Sequence, residues 1–214
     1  MRWFVLCLMA ALLPVAAFAQ SDGTAAEALR ETLDLYRGID TYHATVHSYD
    51  VRVPSLSESE LASRSPDVVF SLYYRGPDLH AAVPVGPAPY GVFRVEVLTM
   101  LNALRTLDVR GEYRDRHQGR WLRMLRLASD HAPEGHTELW VDEDTGRPAK
   151  VSFYVNEFVL FTTEFRYGGG AAEEDLPTET RTSFPESTRI IVNRVARRDL
   201  NLVLPAGVFQ EGRR

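Results

Sequence analysis

Cysteine is all but missing: the 214-residue sequence contains one, Cys7, and it lies inside the first apolar stretch. Past that stretch, disulfide staples and thiol catalysis are both excluded, so the fold must be held by its core. Long apolar runs are equally scarce. Beyond residue 19 nothing approaches the roughly 20 apolar residues of a membrane span. There is no excess of basic charge either, with 24 Lys+Arg against 29 Asp+Glu and a formal charge of −5 with His neutral. That balance argues against nucleic acid or an anionic membrane surface as the main partner, since both select basic patches. The sequence also has no G-x-S-x-G, no P-loop and no G-x-G-x-x-G. Nothing names a cofactor, and none is expected.

What is present begins with residues 1–19. Met1-Arg2 is a short positive start, Trp3 to Val15 is almost unbroken apolar sequence, and Ala17-Phe18-Ala19 is a small-x-small cleavage pattern. This reads as a signal peptide cleaved after Ala19, with Gln20 the first mature residue. The alternative is an uncleaved anchor, for which the run is short. Export to the periplasm is therefore expected. Cleavage leaves 195 of the 214 residues, makes the charge one unit more negative through loss of Arg2, and suits a single domain over 20–214.

Thr24-Ala-Ala-Glu27 matches a capping box, and Ala25, Leu29, Leu33 and Tyr36 recur at helical spacing up to Gly38. The spacing predicts an amphipathic helix over Thr24 to Arg37. From His43 the period falls to two, which predicts strands over His43 to Val53, Val68 to Arg75 and Leu79 to Val83, with Ser55 to Ser65 a polar loop. Val95, Leu98, Leu101 and Leu104 return to helical spacing, so Val92 to Leu104 reads as a second helix, the alternative being a strand pair. Trp121–Ala128, His136–Asp142, Ala149–Val155, Val159–Tyr167, Arg181–Phe184 and Arg189–Val195 complete a meander, with Glu143-Asp144-Thr145-Gly146 as a tight turn. Gly168-Gly-Gly170 and Glu173-Glu174-Asp175 read as a solvated excursion. The fold class is α+β, mainly antiparallel β: a curled, half-open barrel with helices covering the concave face.

Catalytic signals are weak. His43 and His47 have a helical zinc spacing, but on a strand four residues span about 13 Å, too far for one ion. His131 and His136 flank Pro133-Glu-Gly135, read as a hairpin turn, and could approach each other across it. Asp142 with Glu143 or Asp144 sits at a turn, where carboxylates usually serve solvation. No metal site and no catalytic residue is assigned.

The order of elements, with Glu138-Leu-Trp-Val-Asp-Glu-Asp-Thr-Gly-Arg-Pro-Ala-Lys150, Asn201-Leu-Val-Leu-Pro-Ala-Gly-Val-Phe209 and Tyr74-Arg-Gly-Pro-Asp-Leu79, resembles the periplasmic lipoprotein carriers of LolA-like fold. The first run matches "W-V-D-x-x-T-G-x-P" and the second "n-x-x-L-P-x-x-x-F". The family's "D-G-x-x-x-W-x-Y" strand has no counterpart, Val92 to Leu104 and Arg110 to Gln118 occupying that region, so the likeness is to a divergent member.

The resemblance implies a non-enzymatic carrier or chaperone that shelters acyl chains of lipoproteins or other lipids between a curved sheet and a helical lid. Its partners would be envelope donor and acceptor proteins, and the chain a monomer. The candidate lipid-binding wall is Phe70, Leu72, Leu125, Leu139, Val141, Phe153, Phe161 and Phe165, each with a reading as sealed core. The lid is the Ala25 to Tyr36 helix with Val92 to Leu104, and Arg75 is the candidate lid tether. A periplasmic sensor or regulatory module of the same fold is the second reading, and an envelope hydrolase using Asp142, His131 or His136 the third.

Overall fold

A computed structural model describes residues 22–52, 57–76, 79–86, 93–117, 119–168, 176–205 and 207–209. The expected signal peptide, Pro54, the Pro87-x-Pro89 segment, Val92, Gln118 and the stretch from Gly169 through Asp175 lie outside them. Among the described residues no helix is long and apolar enough to cross a membrane.

Ten strands form one antiparallel sheet: β1 (Thr41–Arg52), β2 (Val68–Arg75), β3 (Leu79–Pro84), β4 (Asp108–His117), β5 (Arg120–Ser129), β6 (Ala132–Asp142), β7 (Pro148–Val155), β8 (Phe158–Arg166), β9 (Glu179–Ser183) and β10 (Arg189–Leu200). Their order is β3-β2-β1-β10-β9-β8-β7-β6-β5-β4. Pairing of β1 with β10 therefore places the start of the sheet in its interior, and β3 and β4 become its two edges. The chain between them must cross from one edge to the other. That crossover carries helix α3 (Val97–Leu104). A right-handed twist accumulated over so many strands curls the sheet, which stays open between β3 and β4.

Burial divides the two faces. On β2, Val68, Phe70, Leu72 and Tyr74 are buried and alternate with half-buried Val69, Ser71 and Tyr73. Facing residues of β1 are Tyr42, Ala44 and Val46, paired with Tyr74, Leu72 and Phe70. Helix α1 (Asp22–Asp34) lays Ala25, Ala28 and Leu29 on this face, followed by Tyr36, and α3 adds Val97, Leu98, Met100, Leu101 and Leu104. The other face has a small satellite core, in which Leu61 of α2 (Glu58–Ser63) packs on Tyr49, Val51 and Val192. Glu58 of that helix accepts from Arg166, Arg181 and Arg194, pinning it across β8, β9 and β10.

Several expectations need correction. The polar segment before Arg64 holds α2, with Ser57 and Glu60 forming a capping box that the loop reading overlooked. Helix α1 is already formed at Asp22, two residues ahead of the Thr24 box, and gives way to turns after Asp34. The second helix starts at Val97, because Glu96 is extended and caps it by accepting from the amides of Leu98 and Thr99. Residues from Asp108 to His117 form the edge strand β4, whose exposed polar side chains carry no clear alternation. Pro133-Glu-Gly135 lies within β6. The turn is Asp130-His131, closed by pairing of Ser129 with Ala132 after a register shift.

The Trp140-to-Pro148 motif resolves as turn chemistry. The Oδ1 of Asp142 accepts from the amides of Asp144 (3.2 Å) and Thr145 (3.1 Å) and from the Thr145 hydroxyl (3.0 Å). Gly146 closes the turn at φ +69°, with Leu35 of the chain after α1 lying 3.4 Å from where a Cβ would stand. A side chain there would meet both strain and contact.

Candidate functional site

The curled face presents continuous rows of side chains across strands. Leu125, Leu139, Val151, Thr163, Thr182 and Ile191 are successive cross-strand partners over β5 to β10, and each is buried. A second row runs Val109, Leu127, Thr137, Phe153 and Phe161. A third joins Phe165, Thr180, Asn193, Ser48 and Val68. Cross-strand partners share a face, so these rows place Leu125, Leu139, Phe153, Phe161 and Phe165 on the side covered by α1 and α3; Phe70 and Leu72 alternate onto it with Val68, and Val141 belongs to the same core. Phe70, Leu72, Leu125, Leu139, Val141 and Phe165 are buried in the main core, while Phe153 and Phe161 are half-buried and stack with centroids 4.7 Å apart.

The approach to α3 crosses this wall. The ring of Phe93 meets Phe161 edge-on at 5.2 Å and Phe184 at 5.1 Å, and its carbonyl accepts from the Asn193 side-chain amide at 3.2 Å. Beyond it, Arg94, Val95, Glu96 and Val97 roof a void of about 50 Å³ floored by Tyr42, Val46, Phe70 and Leu72. The Arg94 guanidinium lies 5.8 Å from the centroid of the Phe70 ring. Its Nη1 is buried without a hydrogen-bond partner, and no carboxylate of the described residues pairs with it. Burial pulls its pKa down, opposed by Tyr42 and Glu96. Burial also pushes the Tyr42 phenol well above its ordinary range, and the Glu96 carboxylate beside it adds to the rise. The Oδ1 of Asn193 is likewise buried and unpartnered. Arg198 ties down the far rim by donating to the carbonyls of Leu176 (3.3 Å) and Pro177 (2.6 Å).

Sequence reasoning missed Arg94, Glu96 and Asn193. A helix spanning Val92 to Leu104 would have put Arg94 on a solvated face, whereas the helix begins only at Val97 and Arg94 lines the void. The available signal was the alternation Phe93-Arg94-Val95-Glu96, a strand-like pattern with charges at every second place.

Arg75, the candidate tether, donates to the Leu204 carbonyl at 3.5 Å and stacks 5.0 Å from the Phe209 ring centroid. These contacts hold the C-terminal segment at the end of β2 rather than either helix. Among the histidines, His43 stacks on Tyr73 at 4.7 Å and His131 is exposed. His136 stacks on Tyr154 at 4.3 Å, and the Tyr154 hydroxyl donates to Glu138 at 3.0 Å. Asp142 accepts from Arg120 at 3.0 Å while it organises the turn described above. A second cleft, of about 480 Å³, opens beside that turn. Its lining mixes Arg120, Asp142, Lys150 and Glu164 with Trp140 and Tyr167, which suits water rather than hydrocarbon.

Solved structures share this arrangement. A DUF1329-family protein from Desulfovibrio piger aligns at 11% identity over 89% of this chain and 98% of its own, with a TM-score of 0.59. A LolA-superfamily protein from Nitrosomonas europaea aligns at 14% identity over 86% and 96%, with a TM-score of 0.55. The fold is LolA-like. A proposed outer-membrane lipoprotein-sorting protein domain from Vibrio parahaemolyticus aligns comparably, at 10% identity over 87% and 96% and a TM-score of 0.58. No protein-family model and no curated protein matches the sequence. The LolA-like likeness rests on shape, and at these identities it speaks for the fold alone.

Proposed function

We propose that this LolA-like protein is a periplasmic carrier that shelters an acyl chain between the curled sheet and α1 with α3. The observation that carries the reading is the buried six-strand row from Leu125 to Ile191, roofed by a helix on the crossover between the two sheet edges. A helix on such a crossover can swing without breaking a strand pairing. Two structural neighbours support the same reading, one a LolA-superfamily protein and the other a lipoprotein-sorting protein domain.

The void of about 50 Å³ is a sixth or less of the roughly 300–1,000 Å³ of ligand pockets, so on this reading a chain has no room until the roof moves. Loading must displace the roof. Lifting α3 exposes Val97, Leu98, Met100, Leu101 and Leu104, at roughly 1.5–3 kcal/mol each, or about 8–15 kcal/mol together. A sixteen-carbon chain entering in their place returns about 12 kcal/mol, at ~0.8 kcal/mol per methylene. The two terms nearly cancel. Such an exchange can run in either direction, so an acceptor with a slightly better cavity takes the chain without nucleotide hydrolysis.

The test is purification of the mature protein, extraction into organic solvent and mass spectrometry, together with titration of a fluorescent fatty acid. Co-purified lipid or saturable binding is expected. Absence of both removes the reading.

A second reading, an interaction module, draws on Phe158 and Leu160, which stand 73% and 51% exposed on β8. An apolar pair at a hairpin is a site for a protein partner. Retention of one stoichiometric envelope protein, with no lipid, would favour it.

A further inference from the structure

Most of the roofed void is hydrocarbon, but Arg94, Glu96, Glu179 and Arg198 also line it. Arg94 lines the space with Tyr42, Phe70, Asn193 and Arg198, and its Nη1 is sealed from solvent with nothing to donate to. A buried guanidinium without a partner is among the most unfavourable features a core can hold, and removing it usually stabilises a fold. The other cations of the site are engaged. Arg198 donates to two carbonyls, and Arg194 on the opposite face of β10 is shared between Glu179 and Glu58. The nearest acid, Glu96, spends both carboxylate oxygens on the first amides of α3. Arg94 is thus left as a desolvated donor in the roof of the void, above Phe70.

Resting on the carrier reading above, we infer that Arg94 is the head-group site of this groove and that the ligand is an acyl chain ending in a single small anion. The guanidinium supplies a planar fork that matches two anionic oxygens. The void around it is of carboxylate size, and the apolar wall from Phe70 toward Phe165 takes the chain. An anion arriving there gives the guanidinium the hydrogen-bonded partner it lacks in the closed form, where Tyr42 and Glu96 act on it only through space. Binding and relief of that strain are one event. An ester or alcohol of the same chain has no such reward.

The experiment titrates the mature protein with oleate, methyl oleate and acetate, and repeats each titration on Arg94→Met and Arg94→Lys. Wild type is expected to bind oleate about ten- to a hundred-fold more tightly than methyl oleate, the range of one charge-assisted contact. Arg94→Met is expected to bind the two alike while melting higher than wild type without ligand. Arg94→Lys is expected to keep part of the preference. Equal binding of oleate and methyl oleate by wild type overturns the inference and leaves the carrier reading standing. Failure of both to bind wild type sinks the carrier reading instead. Acetate binding as tightly as oleate would show a small-anion site with no acyl chain and would overturn it too. If Arg94→Met melts lower than wild type, the guanidinium holds the fold together and the assignment is likewise overturned.

Discussion

The hydroxyls of Thr163 and Thr182 meet at 2.9 Å in the middle of the buried row, the only polar pair between Val151 and Ile191. Each hydroxyl satisfies the other where no water reaches, since both residues are fully buried. Replacing one by valine strands its partner's hydroxyl. Thr163→Val or Thr182→Val alone should therefore destabilise by about 1–3 kcal/mol, while the double variant should be close to neutral. Urea unfolding of the four proteins gives the coupling directly. The double variant also makes the row from Leu125 to Ile191 wholly apolar, so its affinity for a fatty acid should rise.

Glu96 links the roof to its own helix. Its carboxylate accepts from the amides of Leu98 (3.1 Å) and Thr99 (2.7 Å), which have no partner inside the helix. Glu96→Ala should cost about 0.5–2 kcal/mol through the lost cap. Because that loss falls on α3 rather than on the sheet, the roof should open more often than the protein unfolds. An environment-sensitive apolar dye should bind the variant more strongly than wild type at temperatures where circular dichroism is unchanged.

How much of this was legible in the sequence depended on which force set each element. Strands β2, β7 and β8 followed from period-two alternation, since one face of each packs against the core and the signal is local. The polar edge strand β4 had no such signal. What makes Asp108 to His117 a strand is hairpin pairing with β5, which begins at Arg120, and its own polar composition carries no sign of it. Which residues share the helix-covered face was readable as a set, because alternation fixes it once the register is right. Arg94 was not, because its orientation depends on where α3 starts, and that is decided by the Glu96 cap two residues later.

Acid should weaken the peripheral ion pairs before the core. Glu143 accepts from Arg114 at 2.7 Å and from Arg123 at 3.4 Å, and the Arg114 bond foremost holds its pKa below the ordinary 4.5. Glu58 is also lowered from 4.5: burial opposes the shift, but Arg166 and Arg181 outweigh it. A carboxylate whose folded pKa is depressed contributes stability that is fully present above the unfolded value and is lost as pH falls through the folded one. Glu143→Gln should therefore melt below wild type at neutral pH, and the gap should close below pH ~4 as wild type protonates. Thermal melts across that range check the sign. A gap independent of pH would mean that the side chain acts through packing alone.

Leu139 offers the sharpest separation between a sealed core and a lipid wall. It is fully buried between Leu125 and Val151, so Leu139→Ala should destabilise by about 2–5 kcal/mol, the transfer loss plus the void left behind. In a sealed core that void is inaccessible, and added fatty acid leaves the deficit untouched. In a loadable groove the chain reaches the void and fills it. Stabilisation by a ligand confined to the folded state grows as RT ln(1 + [L]/Kd), about 2.7 kcal/mol at a hundredfold excess over Kd. Laurate should then restore a large part of the lost stability in Leu139→Ala and raise its Tm by more than it raises that of wild type. Equal shifts in the two proteins would place the acyl chain away from Leu139, and no shift in either would leave the row from Leu125 to Ile191 as packing.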